Sequence, residues 1–218
     1  SQVRRSGFSD SEHYAGLYGY VTSAQVVSAA RKLDIIASQL YHQSVSYDSL
    51  FAQARNKSDM LAHIPAIMPL KVMDLKYISS NYGYRPDPIY KVRKFHGGMD
   101  FSAPMGTEVY VTGDGVVVDV DKSFWGYGNM VTVDHGYGYV TRYAHLQGAA
   151  VKKGQKLKRG QLIGFVGSTG KTTGVHLHYE VRKNNVPINP INFFFDDLTP
   201  DEYDRMLELS TLPTQTMD

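Results

Sequence analysis

Between Val26 and Leu61 the apolar and small residues recur as Ala30, Leu33, Ala37, Leu40, Ser44, Tyr47, Phe51, Ala54, Ser58 and Leu61, in alternating steps of three and four. This is a helical, heptad-like period. It predicts one helix, or two broken near Val45 to Asp48, lying on the rest of the molecule through one stripe. The same stripe also reads as a seam for self-association, a weaker reading because Ala and Ser fill many of its positions. Ile64 to Leu70, with Pro65 and Pro69, ends the helical stretch, since proline lacks a donor and pushes its predecessor out of helix. Residues 1–20 show no period and read as an arm whose order depends on contacts elsewhere.

Beyond Leu70 the pattern changes to short apolar runs punctuated by Gly, Asp and Asn. Strands are predicted at Thr107–Val111, Gly115–Val120, Met130–Val133, Tyr139–Tyr143, Gln161–Val166 and Leu177–Val181. Asp121–Asn129 and Asp134–Gly136 are the turns between them, with His135 a turn residue. Six or more short strands at this spacing indicate a mainly β, antiparallel domain. Asn189 to Phe195 closes it, its three phenylalanines belonging to the core. Thr199-Pro200-x-Glu202 then has the signature of an N-cap, a proline at the first helical position and a capping-box glutamate. A short acidic helix to about Leu209 follows, with a loose tail after Ser210. The expected organisation is an arm over 1–20, a helical segment over 21–64, the β domain over 65–195, and a C-terminal helix and tail over 196–218.

The 218 residues are 42% hydrophobic, enough for a real core. A net charge of +2 without a concentrated Lys/Arg patch argues against a nucleic-acid binder. There is no cysteine, so neither a disulfide frame nor a thiolate metal site can form. No run of about 18 apolar residues marks a membrane span, and no signal peptide opens the chain. Because the chain begins at Ser1, an export signal or anchor trimmed upstream is compatible with it.

Five of the eight histidines fall between Phe95 and Glu180, a stretch that opens with His96-Gly-Gly-Met-Asp100 and closes with His176-Leu-His-Tyr-Glu180. A catalytic zinc usually takes three protein ligands from His and Asp or Glu and keeps a fourth position for water. In a straight strand His96 and Asp100 would lie about 13 Å apart, too far to share an ion. The Gly97-Gly98 pair is therefore expected to fold the segment back. His176 and His178 point to one face of a strand, roughly 6 to 7 Å apart, so one can bind the metal while the other faces its water. Glu180 lies on that same face, either as an acceptor for a ligand imidazole or as a salt-bridged edge carboxylate. His42 and His63 belong to the helix and read as structural or solvated.

Two competing motifs fail. Gly167-Ser-Thr-Gly-Lys-Thr-Thr-Gly174 suggests a phosphate loop, but a Walker loop needs glycine at position 165, where Phe165 stands. A small-residue loop entering the His-x-His strand instead borders a substrate groove. Val151 to Gly164 carries patterns found in lipoyl- or biotin-carrier folds, yet no lysine there has the hairpin setting of a carrier.

The ordered series Tyr82-Gly-Tyr-Arg85, Phe95-His-Gly-Gly-Met-Asp100, Gly113-Asp-Gly-Val116, Tyr127-Gly-Asn-Met130, Arg142-Tyr-Ala-His-Leu146, Gly160-Gln-Leu-Ile-Gly164 and His176-Leu-His-Tyr-Glu180 resembles the lysostaphin-like (LytM-type) zinc metallopeptidases of bacterial peptidoglycan. The resemblance covers about Ser80 to Phe195. It departs from the family at Val175, where a proline usually precedes the His-x-His. It implies an antiparallel β catalytic domain of that type, Zn2+ held by His96, Asp100 and His178, and a catalytic pair of His145 and His176. Peptidoglycan peptides are the implied substrate and the cell envelope the implied location. An imidazole ordinarily titrates near neutral pH, which suits either histidine to exchange a proton. Tyrosines and aromatics beside glycines at 82–84, 124–127 and 137–139 would wall a groove or simply turn hairpins. Two rival readings are a catalytically silent relative that activates another hydrolase, and a scaffold around a structural zinc. All five site residues are present and only three ligands are offered, which favours the enzyme.

Overall fold

A computed structural model describes residues 23–71, 78–87 and 92–211. The arm expected over 1–20, and the tail from 212 onward, lie outside them. The described chain falls into two compact units, one within Ser1–Lys57 and one within Ser58–Asp218.

Helix α1 runs unbroken from Ser23 to His63. The break expected near Val45 to Asp48 is absent, because no Gly or Pro interrupts these 41 residues. The weak helix formers there cost only a few tenths of a kcal/mol each. The heptad stripe is not buried as expected: Leu33, Leu40 and Phe51 are 66%, 61% and 70% exposed. At the C-terminus of α1 the Arg159 guanidinium donates to the carbonyls of Leu61, Ala62 and Ile64. Those are the acceptors a helix end leaves without partners, and Pro65 prevents continuation.

The larger unit is built on strands β1 (Ile78–Ser80), β2 (Gly83–Pro86), β3 (Arg93–His96), β4 (Met99–Ser102), β5 (Glu108–Tyr110), β6 (Gly115–Asp121), β7 (Asn129–Gly136), β8 (Tyr139–Ala149), β9 (Lys156–Leu157), β10 (Leu162–Val166), β11 (His176–Lys183) and β12 (Val186–Ile188). Ten of them form one antiparallel sheet in the order β1-β4-β11-β8-β7-β6-β9, with β10 joining β8 to β5 and β12 beside β11. β2 and β3 form a separate hairpin. This is the mainly β, antiparallel architecture expected. β8 extends six residues past its expected end because its second half finds another partner, with Phe165 opposite Gly148 and Val166 opposite Leu146.

One side of the sheet packs Phe101, Val131, Val133, Tyr143, Leu146, Ile163, Tyr179 and Phe194 into the core, all at most 1% exposed. Two tyrosines can sit in so apolar a place because their hydroxyls meet Thr112 Oγ1, at 3.1 Å from Tyr143 and 2.9 Å from Tyr179.

His135 is not a turn residue but a fully buried end of β7. Its Nδ1 lies 2.8 Å from the Asp114 carbonyl and must donate to it, so Nε2 accepts from the Thr141 hydroxyl at 2.8 Å. Burial pushes its pKa down to about 4. The folded value lies below the ordinary 6.5, so its contribution is complete above about pH 6.5 and is lost as pH falls toward 4. That 2.5-unit gap corresponds to about 3 kcal/mol. Urea midpoints followed from pH 7 to 4 should therefore decline, and the decline should flatten in His135→Gln; equal slopes would refute the assignment.

Helix α2 spans Pro200–Thr211. Its capping box forms as expected: Thr199 Oγ1 accepts from the Glu202 N–H at 3.3 Å while the Glu202 carboxylate accepts from Thr199 N at 2.8 Å. Met206, fully buried, anchors the helix to the core. Thr199→Ala should cost about 0.5–2 kcal/mol in chemical denaturation.

Candidate metal centre and active site

Strand pairing brings the two halves of the motif together. Asp100 on β4 stands directly opposite His178 on β11, and His176 opposite Ser102. Opposed residues in an antiparallel ladder have Cβ atoms roughly 4.5–5.5 Å apart, so the pairing brings together Asp100 and His178, 78 positions apart in sequence. His96 arrives from the hairpin β2–β3, at whose end it pairs with Gly83.

Neither Gly97 nor Gly98 adopts a positive φ, so the turn between β3 and β4 does not need glycine for its backbone angles. The requirement is space. A Cβ on Gly98 would stand 2.3 Å from the carbonyl oxygen of Tyr179, whereas one on Gly97 would meet nothing closer than 3.5 Å.

His96 Nε2, His178 Nδ1 and Asp100 Oδ1 converge at 3.0, 2.9 and 3.2 Å from one another. All three residues are buried. His96 Nδ1 lies 2.8 Å from the Asn81 carbonyl and donates to it, which leaves Nε2 as the lone pair. His178 Nε2 faces Glu180 Oε1 at 3.3 Å, which leaves Nδ1 as its lone pair. Each imidazole thus spends its proton outward, and three acceptor atoms meet with no donor among them. A cation relieves that arrangement. Ligand atoms around a tetrahedral zinc at about 2.0–2.1 Å are themselves roughly 3.3 Å apart, so the donor set fits the ion.

The surrounding groups hold this set in place. Arg85 reaches Asp100 Oδ2 at 3.4 Å, leaving Oδ1 to face the centre. Burial opposes ionisation of Asp100, and its pKa is nonetheless lowered. Glu180, 1% exposed, accepts from Tyr127 at 2.6 Å and from Arg182 at 2.9 Å, with Arg142 at 3.6 Å. Burial again opposes ionisation there, and the His178, Tyr127 and Arg182 bonds win, holding Glu180 at about 2. Both readings of Glu180 are therefore met at once: it orients a candidate ligand and is itself salt-bridged.

His145 and His176 stand together beside the centre, ring centroids 4.7 Å apart. His176 donates from Nδ1 to the Gly174 carbonyl at 3.0 Å, and its Nε2 points toward Asp100 Oδ1 at 3.8 Å. His145 donates from Nδ1 to the Thr169 carbonyl at 2.8 Å, so its Nε2 carries the lone pair. Its φ of 57° is one that non-glycine residues rarely adopt. The cause is a bulge: β8 uses three residue steps from Tyr143 to Leu146 where β7 uses two from Val131 to Asn129. The extra residue re-aims the side chain.

A cleft of about 220 Å³ opens over the centre, lined by Lys94, Phe95, His96, Gly97, Gly126, Tyr127, His145, Lys171 and His178. Of the aromatics proposed as groove walls, Tyr127 lines it, and so does Phe95, which was not among those proposed. Tyr137 does not; it lies against Asp59 and His63. The Gly167–Gly174 loop does border the cleft through Lys171, and is tied down by Lys171 N to Gly126 O at 2.8 Å. The contributions of Arg85 and Arg182 were not legible in the sequence. Arg85 alone had a signal, its place in the Tyr82-Gly-Tyr-Arg85 motif.

Comparison with known proteins agrees with this geometry. Residues 94–190 match the family Peptidase family M23. The peptidoglycan DD-endopeptidase ShyA of Vibrio cholerae serotype O1 is 50% identical over 113 residues, which are 51% of this chain and 26% of that protein. The DD-carboxypeptidase/endopeptidase Mpg of Neisseria meningitidis serogroup B is 46% identical over 115 residues, 53% of this chain and 26% of that protein. The structure of Helicobacter pylori Csd3 superposes with a TM-score of 0.50 at 34% identity, covering 66% of this chain and 39% of that one. The chain thus spans about a quarter of the length of these curated relatives.

Proposed function

We propose that the chain, whose residues 94–190 match peptidase family M23, is a zinc-dependent endopeptidase that hydrolyses peptide cross-links or stem peptides of bacterial peptidoglycan. The observation that carries this reading is the meeting of three buried acceptor atoms beside a cleft that His96, His178 and His145 line, with His176 against His145. The names of the relatives support the choice of peptidoglycan as substrate and, with it, a place outside the cytoplasm. No helix among the described residues is long and apolar enough to cross a membrane.

In this reading His96 Nε2, Asp100 Oδ1 and His178 Nδ1 hold the zinc. Bound there, the ion supplies Lewis-acid polarisation of a peptide carbonyl and a water acidic enough to attack near neutral pH. The chain's own residues then manage protons. The Nε2 atoms of His145 and His176 lie beside the centre, so the ring unprotonated there would take the proton from the attacking water while the other, carrying a proton at Nε2, would serve the oxyanion and the leaving amine. Their Nδ1 bonds to main-chain carbonyls keep Nε2 as the atom that gains and gives up the proton in both rings. Glu180 stays ionised and balances charge on His178, while Tyr127 is committed to Glu180.

Incubation of the zinc-loaded protein with purified peptidoglycan should release new amino termini, and mass analysis of the muropeptides should identify the bond. A chelator should abolish the release and zinc restore it. Zinc-loaded protein that frees no amino termini from any cell-wall preparation would instead support a silent relative that activates another hydrolase.

A further inference from the structure

Hairpin β2–β3 sets Gly83 opposite His96 and Arg85 opposite Lys94. Residues opposed in an antiparallel pair share a face, and so do residues two apart on one strand. From that face His96 brings Nε2 to the candidate metal centre, and Arg85 reaches Asp100 at 3.4 Å. Lys94 therefore lies on the face of the hairpin turned to the centre, two residues from a candidate ligand, and it lines the cleft with His96. Relying on the peptidase reading for the class of substrate, we infer that the Lys94 ammonium binds a carboxylate carried by a residue adjoining the bond to be cut. Lys94 thereby selects peptides that have a carboxylate there over those in which it is blocked.

Asp87, the residue after β2, accounts for where this ammonium sits. Its side chain is fully buried, and its N–H closes the hairpin on the Val92 carbonyl at 2.8 Å. Its Oδ2 stands 3.8 Å from Lys94 Nζ and 3.6 Å from Lys171 Nζ. A buried carboxylate needs a cation beside it, but one ammonium balances its charge, and two converge here. Lys171, from the Gly167–Gly174 loop, is the nearer and the more covered, its side chain 29% exposed against 63% for Lys94. Lys94 thus leans on Asp87 while staying open to the cleft.

The charge around the cleft has the same sign. No Asp or Glu is among the described residues that line it, whereas both lysines are. The carboxylates nearby are engaged inside the wall: Asp100 faces His96 and His178, and Glu180 accepts from Tyr127 and Arg182. A cleft lined by one sign of charge draws in the opposite one, and the anion a peptide offers is a carboxylate. A hydrogen bond between ammonium and carboxylate is roughly twice as strong as one between neutral groups, enough to discriminate against a carboxamide of the same shape.

Recognition and cleavage can be measured apart. The probe is a muropeptide from digested peptidoglycan, used as such and after its carboxylates have been converted to carboxamides. Binding is titrated by calorimetry with the zinc-loaded His176→Ala protein, so that cleavage does not intrude. The carboxylate form should bind about tenfold more tightly than the amide form. Adding Lys94→Gln should bring the carboxylate form down to the affinity of the amide form, and adding Lys94→Arg instead should restore the preference. With His176 in place, the same comparison should appear as a change in KM with kcat little moved. If Lys94 served only to balance Asp87, Lys94→Gln would lower the urea midpoint and leave the preference unchanged. An undiminished preference in Lys94→Gln, no preference in its parent, or no binding of either form would overturn the inference, even in a protein that cuts peptidoglycan. A preference that depends on Lys94, in a protein that releases no amino termini, would uphold the carboxylate contact and fault the hydrolytic reading alone.

Discussion

His178→Ala is expected to leave the protein without bound zinc, whereas His176→Ala keeps the zinc and loses hydrolysis of peptidoglycan. Removing the His178 imidazole leaves only His96 Nε2 and Asp100 Oδ1, and two ligands do not hold a zinc that normally takes three from the protein. Removing His176 touches none of the three acceptors. Its Nε2 is 3.8 Å from Asp100 Oδ1 and its Nδ1 is spent on Gly174. The expected loss is that of a proton-handling group, roughly 10²- to 10⁴-fold in turnover. Metal content by elemental analysis and amino-terminus release, measured on both variants, check the pair. Stoichiometric zinc in His178→Ala, or near-native turnover in His176→Ala, would break the assignment.

Gly98→Ala should destabilise the protein by about 1–3 kcal/mol or more, while Gly97→Ala stays within about 1 kcal/mol of the parent. At Gly98 the new methyl would meet the Tyr179 carbonyl oxygen at 2.3 Å and its carbon at 3.0 Å, both main chain of β11. Main chain cannot rotate out of the way, so β4 and β11 must part. Asp100 and His178 face each other across those two strands, so zinc affinity should fall together with stability. Urea midpoints and zinc titrations of the two variants test this; two variants of equal stability would mean that the close approach is not a constraint.

Much of the site was readable along the chain because its determinants are local. Period two placed His176, His178 and Glu180 on one strand face, and both imidazoles do face Asp100, with Glu180 against His178. The capping box of α2 was equally legible, because it spans only three residues. The Gly97-Gly98 pair was expected to fold the segment back, and His96 does meet Asp100 there, but the need for glycine at 98 comes from a strand about eighty residues away. His135 was misread for a similar reason: its partners Asp114 and Thr141 turn an apparent loop residue into a buried one. The α1 stripe was recognised as heptad-like, yet its exposure could not be read from periodicity, which records a face and not what covers it.

By itself the sequence determined the secondary elements, the antiparallel class, and which side chains have the chemistry to hold zinc and move protons, since these follow from local period and residue type. Only the tertiary structure decided that Asp100 and His178 are cross-strand partners, that a bulge re-aims His145, and that Arg85 and Glu180 contact Asp100 and His178. Those facts depend on which distant strand lies alongside, and strand pairing is a choice made by the whole core.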